Sequence, residues 1–299
     1  MRIQAGGWVL GLAALVAAGA VARAAGPAYL VVSGWGQVPG NGEWGDVPGV
    51  AIDRQGNIFA FRRAEPPILK FDPSGKLLAS LGQGQIASAH GLRIDRDGFL
   101  WAADFRAVDG KGEQVLKMTP DGKVVMALGT KGVAGETSST FSGPCDVAFA
   151  PNGDIFVADG HVNARVVKFA KDGTFIKAWG TKGAGRGQFN VPHAIAMDSQ
   201  GRVFVADRNN ERIEIFDQNG TYLDEWKQFG RPSGLFIAPD DTLYVADIAK
   251  GVAVGSARDG RVTGLIEGTL PEGIAVAADG SVYAGETTTG HTLRKLVKP

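Results

Sequence analysis

The chain has 299 residues, and its 31 Lys and Arg balance its 31 Asp and Glu. Zero formal charge without a basic or acidic run recommends no nucleic-acid surface. Forty-four Gly and 44% hydrophobic residues fit a soluble, turn-rich β domain, and the single Cys145 excludes an intrachain disulfide.

Residues 1–24 read as a secretory signal peptide. Arg2 opens it, Trp8 to Ala20 forms an apolar run short for a membrane span, and Ala22-Arg23-Ala24 offers an A-x-A cleavage site. The expectation is a periplasmic or secreted protein with no membrane attachment after cleavage, its folded part spanning residues 27–299. There, Tyr29 to Gly36 reads as a β-strand without a neighbour in sequence to pair with.

From Pro48 onward one pattern recurs six times. It opens with Pro or Ala, then a variable residue, a small residue and an aliphatic pair; a tight turn and an apolar strand often ending Ala-Asp follow. The copies start at Pro48, Ala89, Pro144, Pro192, Pro232 and Pro271, at intervals of 41, 55, 48, 40 and 39 residues. Such a period suits a four-stranded propeller blade. The third copy displays all four strands: Asp146 to Ala150, Ile155 to Asp159, Arg165 to Phe169 and Phe175 to Gly180. They are called a to d below. Gly-containing turns at Asn152-Gly153 and Asp172-Gly173 separate a from b and c from d.

The sixth copy ends at Pro299 after three strands, and Tyr29 to Gly36 supplies the fourth from the other terminus. Pairing the termini removes exposed sheet edges. The sequence therefore predicts an all-β, six-bladed β-propeller closed by its N-terminal strand, and a monomer.

Strand direction divides the ring into two faces. The short a–b and c–d turns share one; the b–c and d–a connections share the other, with the insertions at Gly129–Ser142, Thr181–Val191 and Arg106–Gly112. Loops on a rigid scaffold carry function. On that face the variable residue of each copy stands nearest the axis: Gly49, His90, Cys145, His193, Ser233 and Glu272. Alternate blades of a six-fold ring are ~120° apart, so His90, His193 and Glu272 converge on one axial point, as candidate ligands of a single zinc ion.

The b–c loops add Arg63 and Arg208, whose guanidinium groups suit a substrate carboxylate, and His161, suited to proton transfer. They are the candidate catalytic residues. Arg165 and Arg212, with Asp104, Asp159, Asp207 and Asp247, read instead as framing residues, the carboxylates bonding loop amides.

The run from Ala158 to Phe169, then Gly187 to Ala196, then Val205 to Ile213 resembles NHL-repeat propellers of the peptidyl-α-hydroxyglycine α-amidating lyase family. The likeness spans nearly the whole mature chain and is most specific between Asp159 and Arg212. It implies an axial zinc held by three histidines, with His90 and His193 matching two and Glu272 standing in the place of the third. It implies an active-site Tyr where this chain has His161, two arginines matched by Arg63 and Arg208, a calcium-binding Asp where this chain has Gly273, and a disulfide whose cysteines are absent here. The implied reaction cleaves a carbinolamide C–N bond to an amide and glyoxylate, on a small or peptide-like substrate bound at the insertion-bearing face. The readings left open beside it are a non-catalytic ligand- or protein-binding propeller and a metal-dependent lactonase or hydrolase.

Overall fold

A computed structural model describes Met1 and residues 28–299. The leader and its cleavage site at residues 22–24 lie outside the described residues. Six four-stranded antiparallel sheets follow one another around a ring, each ordered a, b, c, d from the axis outward. Their innermost strands are Gly49–Ile52, Ala89–Ile94, Pro144–Phe149, Pro192–Met197, Pro232–Ile237 and Gly273–Val276. The third blade continues as Ile155–Asp159, Arg165–Phe169 and Phe175–Trp179, within a residue of the sequence reading.

Ring closure occurs as expected, through a shorter strand. Only Leu30–Val31 pairs in the ladder with the last strand, Leu293–Val297, extended by Val32 N–H donating to the Lys295 carbonyl at 2.9 Å. Gly34 and Gly36 then adopt φ of 71° and 70°, which ends the extended backbone. Trp35, 8% exposed, turns inward against Phe71 and Tyr283 and so locks blade one to blade six.

Between blades the core is apolar, and the innermost strands alternate partners across each interface. Phe156 and Val166 of blade three meet Ile195, Val203 and Val205 of blade four in one cluster. At the axis the blades touch through backbone. A Cβ on Gly91 would lie 2.4 Å from the Cys145 carbonyl oxygen, and one on Gly273 would lie 2.2 Å from that of Pro48. This is why glycine follows the variable residue in blades two and six.

Blades two to five carry a β-bulge at the variable position. Pro144 pairs with Asp159 and Asp146 with Ala158, leaving Cys145 unpaired; Pro192 and Ala194 likewise flank an unpaired His193. In blade two the shift spans His90 and Gly91, in blade five Ser233. A bulge bends its strand and re-aims the extra side chain. Here it turns that side chain into the axial channel.

Candidate metal centre

The b–c and insertion loops are held rigidly by the framing carboxylates. Asp104 accepts from the amides of Ala87 and Ser88, Asp159 from Ser142, Asp207 from Asn190 and Asp247 from Arg231 and Ala249. Arg212 donates from Nε to Asp207 at 2.9 Å and from Nη2 to the Gly185 and Gln188 carbonyls; Arg165 does the same with Asp159 and the Thr137 and Thr140 carbonyls. Their framing role is as the sequence suggests. Glu113, unread in the sequence, completes the scaffold by accepting from the Gly143 amide at 2.8 Å.

Inside this frame His90 and His193 are 2% and 1% exposed. Their Nδ1 atoms lie 2.8 Å from the Cys145 carbonyl and 2.7 Å from the Ser233 carbonyl. A carbonyl only accepts, so each Nδ1 carries the proton and each Nε2 presents a lone pair. The two Nε2 atoms are 3.1 Å apart, and Glu272 Oε1 lies 3.3 Å from one and 3.7 Å from the other. Burial, the Arg63 guanidinium and Arg208 hold His90 down to about 3, and burial, His90 and Arg208 hold His193 well below its ordinary value. Both imidazoles are therefore neutral at pH 7.

Three acceptor atoms facing one another in a dry channel repel unless a cation joins them. Donors at 2.0–2.1 Å from one ion in a tetrahedron stand about 3.3 Å apart, so separations of 3.1, 3.3 and 3.7 Å suit zinc. The calcium reading meets the opposite result. Gly273 has no side chain, and the Pro48 carbonyl occupies the space an Asp there would need.

His161 joins the cluster from blade three, with Nε2 2.9 Å from His90 Nε2 and its ring 4.9 Å from that of Phe105. Burial, His90 and Arg208 hold it down to about 3, so it too is neutral. With His90 and Cys145 it forms a second group of donors within 4.8 Å. Burial pushes the Cys145 thiol up, well away from the thiolate that would ligate or attack.

The two arginines sit differently. Arg63 donates from Nε to the Ala89 carbonyl, from Nη1 to Asp46 and, at 3.4 Å, from Nη2 to Glu272 Oε1, while stacking on Phe105 at 5.2 Å. It is committed to protein partners where the sequence suggests a substrate clamp. Arg208, half-buried, has a buried Nε without a hydrogen-bond partner among the described residues, and burial lowers its pKa from the ordinary value. Its backbone N–H reaches the carbonyl of Val191, whose φ of 68° is rare for a β-branched residue; blade three has Gly143 in that place, at 80°.

The NHL repeat family matches residues 189–216, the stretch containing both His193 and Arg208. Peptidyl-glycine alpha-amidating monooxygenase B of Xenopus laevis is 32% identical over 291 residues, covering 81% of this chain and 33% of that protein. A probable peptidyl-alpha-hydroxyglycine alpha-amidating lyase of Caenorhabditis elegans is 33% identical over 201 residues, covering 58% of this chain and 56% of that one. The chain is an NHL-repeat propeller resembling the peptidyl-α-hydroxyglycine α-amidating lyases. It spans about a third of the length of the monooxygenase relatives it matches. A gluconolactonase of Xanthomonas campestris aligns with a TM-score of 0.66 at 15% identity, covering 85% of this chain and 86% of that one, which shows the propeller fold alone.

Within this NHL propeller, three residues of the cluster escape the sequence reading: Asp46, Phe105 and Thr287. The last two were in reach. Arg63, Phe105, Arg208 and Thr287 each stand one place past the residue that frames the b–c loop, namely Arg62, Asp104, Asp207 and Glu286. That register marks a second ring of side chains above the ligands. Asp46 lies outside any repeat, and nothing in the sequence marks it.

Proposed function

We propose that this chain is an exported, zinc-dependent carbon–nitrogen lyase that opens a carbinolamide to an amide and glyoxylate. The observation that carries the reading is the meeting of two lone-pair imidazole nitrogens with one carboxylate oxygen at 3.1 to 3.7 Å, protons fixed on the far nitrogens. The relatives named as amidating lyases support the reaction class. His90, His193 and Glu272 would hold the ion. Bound there, zinc supplies Lewis acidity beside an alkoxide.

The remaining steps belong to the chain's own residues. Arg208, with donors unclaimed by protein, binds the carboxylate of the α-hydroxyglycine and fixes its orientation. Arg63 holds Glu272 and the floor beside Phe105. Neutral His161 accepts the carbinol hydroxyl proton. The C–O bond becomes a carbonyl as the C–N bond breaks, its electron pair leaves on nitrogen, and protonation there gives the amide. The products are one amide and one glyoxylate. The peptide-like remainder of the substrate lies outside, on the insertion-bearing face.

Elemental analysis of the mature protein purified without chelators, beside His193→Ala, tests the metal. The expectation is about one zinc per chain in the first and a substoichiometric trace in the second. No transition metal in either defeats the lyase and leaves a non-catalytic binding propeller. Where zinc is present, glyoxylate release from an α-hydroxyglycine test compound supports the lyase, and zinc without glyoxylate points to a hydrolase.

A further inference from the structure

We infer that Thr287 is a positioning residue that orients Glu272 as a metal ligand, an inference resting on the metal reading above. His90 and His193 ride on bulges and are locked by ring N–H bonds to neighbouring carbonyls. Glu272 has no ring N–H to lock it. It precedes the strand Gly273–Val276, and one backbone bond ties it to the neighbouring strand Val282–Gly285, its N–H donating to the Gly285 carbonyl at 2.8 Å. A glutamate side chain has three rotatable bonds, whose freedom is lost when its carboxylate is fixed. Some other group must hold it.

Thr287 does so from the second ring. Its hydroxyl donates to Glu272 Oε2, and it is 7% exposed. Glu286 beside it is clamped as the framing aspartates are, by Thr269 Oγ1 at 2.8 Å, the Leu270 amide at 3.1 Å and Arg294 Nε at 2.8 Å. The hydroxyl therefore comes from a fixed backbone. With Oε2 occupied by Thr287 and Arg63 Nη2 3.4 Å from Oε1, the carboxylate plane is set, and Oε1 faces both histidine Nε2 atoms. In this chain a threonine hydroxyl fixes a flexible carboxylate ligand, as the neighbouring carbonyls fix the two imidazoles. Removing such an outer partner typically weakens metal affinity 10- to 100-fold.

The test uses metal-stripped full-length mature protein, titrated with cobalt(II) and read by its visible d–d absorption, then with zinc in competition. Thr287→Val should weaken zinc about 10- to 100-fold and alter the cobalt band, while Thr287→Ser stays within about threefold of the parent. In a Glu272→Gln background, Thr287→Val should add nothing, which a merely structural role would not produce. Should the valine variant fail to fold, Thr287→Ala against Thr287→Ser makes the same comparison. Valine or alanine variants binding zinc like the parent overturn the role of Thr287 while leaving the site standing. A parent that binds cobalt no better than His193→Ala overturns the metal reading and the positioning role with it.

Discussion

Blade four and blade six aim their second residue at the same axial point by different means. In blade four a bulge projects His193, the frame Asp207–Arg212 is 0% and 3% exposed, and Arg208 follows it without a partner for its buried Nε. In blade six Glu272 precedes the strand, the frame is Glu286–Arg294 with the arginine 35% exposed, and Thr287 follows it. Blade six is also the seam, its outer strand reduced to Leu30–Val31 from the other end of the chain. The comparison teaches that the ring conserves register rather than residue type. A carboxylate reaches the point a histidine would, provided the second ring changes with it.

The sharpest way to break the comparison is to remove the two frames. Arg212→Met strands Asp207 as a buried charge and frees the carbonyls of the 181–191 insertion, so a loss of about 3–5 kcal/mol is expected in urea unfolding. Arg294→Met removes a half-exposed partner and leaves Glu286 its bonds from Thr269 and Leu270, so about 1 kcal/mol is expected. Equal losses would mean that the seam is as rigidly framed as blade four. A smaller effect separates the two arginines of the site. Arg208→Met should raise KM for an α-hydroxyglycine by about 30- to 100-fold, the worth of a charge-assisted carboxylate contact, with zinc content unchanged. Arg63→Met should instead lower zinc content, because its guanidinium braces Glu272. The opposite pattern would reinstate Arg63 as the substrate clamp.

The fold was legible because each copy repeats the same turn chemistry. Asp-Gly and Asn-Gly turns fixed strand boundaries within a residue in blade three, and the missing last strand pointed to Tyr29. Its length was not legible, since Val32 and Trp35 read as one β-run until the positive φ of Gly34 and Gly36 breaks it. The convergence of His90, His193 and Glu272 was legible because a ring converts sequence period into angle. What the period cannot report is which donors are already committed. Arg63 and Arg208 occupy equivalent places, yet Asp46, from a segment preceding the first repeat, captures one of them. The bulges were equally hidden, because an inserted residue changes pairing without changing composition.

A pH-dependent effect lies on the third strand of blade four, Arg212–Phe216. Glu214 is 0% exposed there, with Oε1 3.1 Å from the Gly187 amide and Oε2 without a partner; the place two residues past the frame arginine in blade six is the apolar Leu296. Burial raises the Glu214 carboxyl from the ordinary 4.5 to about 7, with Asp207 and Glu225 adding to it against the pull of Gly187 and Arg212. A pKa raised on folding means the native state binds the proton more tightly. The stability this group contributes is therefore complete below pH 4.5 and is lost as pH rises through 7. Glu214→Gln cannot ionise, so its stability relative to the parent should rise by on the order of 1–2 kcal/mol between pH 5 and pH 8. Asp104, raised to about 6 mainly by burial, is present in both proteins and cancels in the difference. Urea unfolding of parent and variant at the two pH values gives that difference directly, and a gap that stays constant or narrows would show Arg212 to be keeping Glu214 ionised, making blade four's frame a three-residue charge network where blade six has a pair.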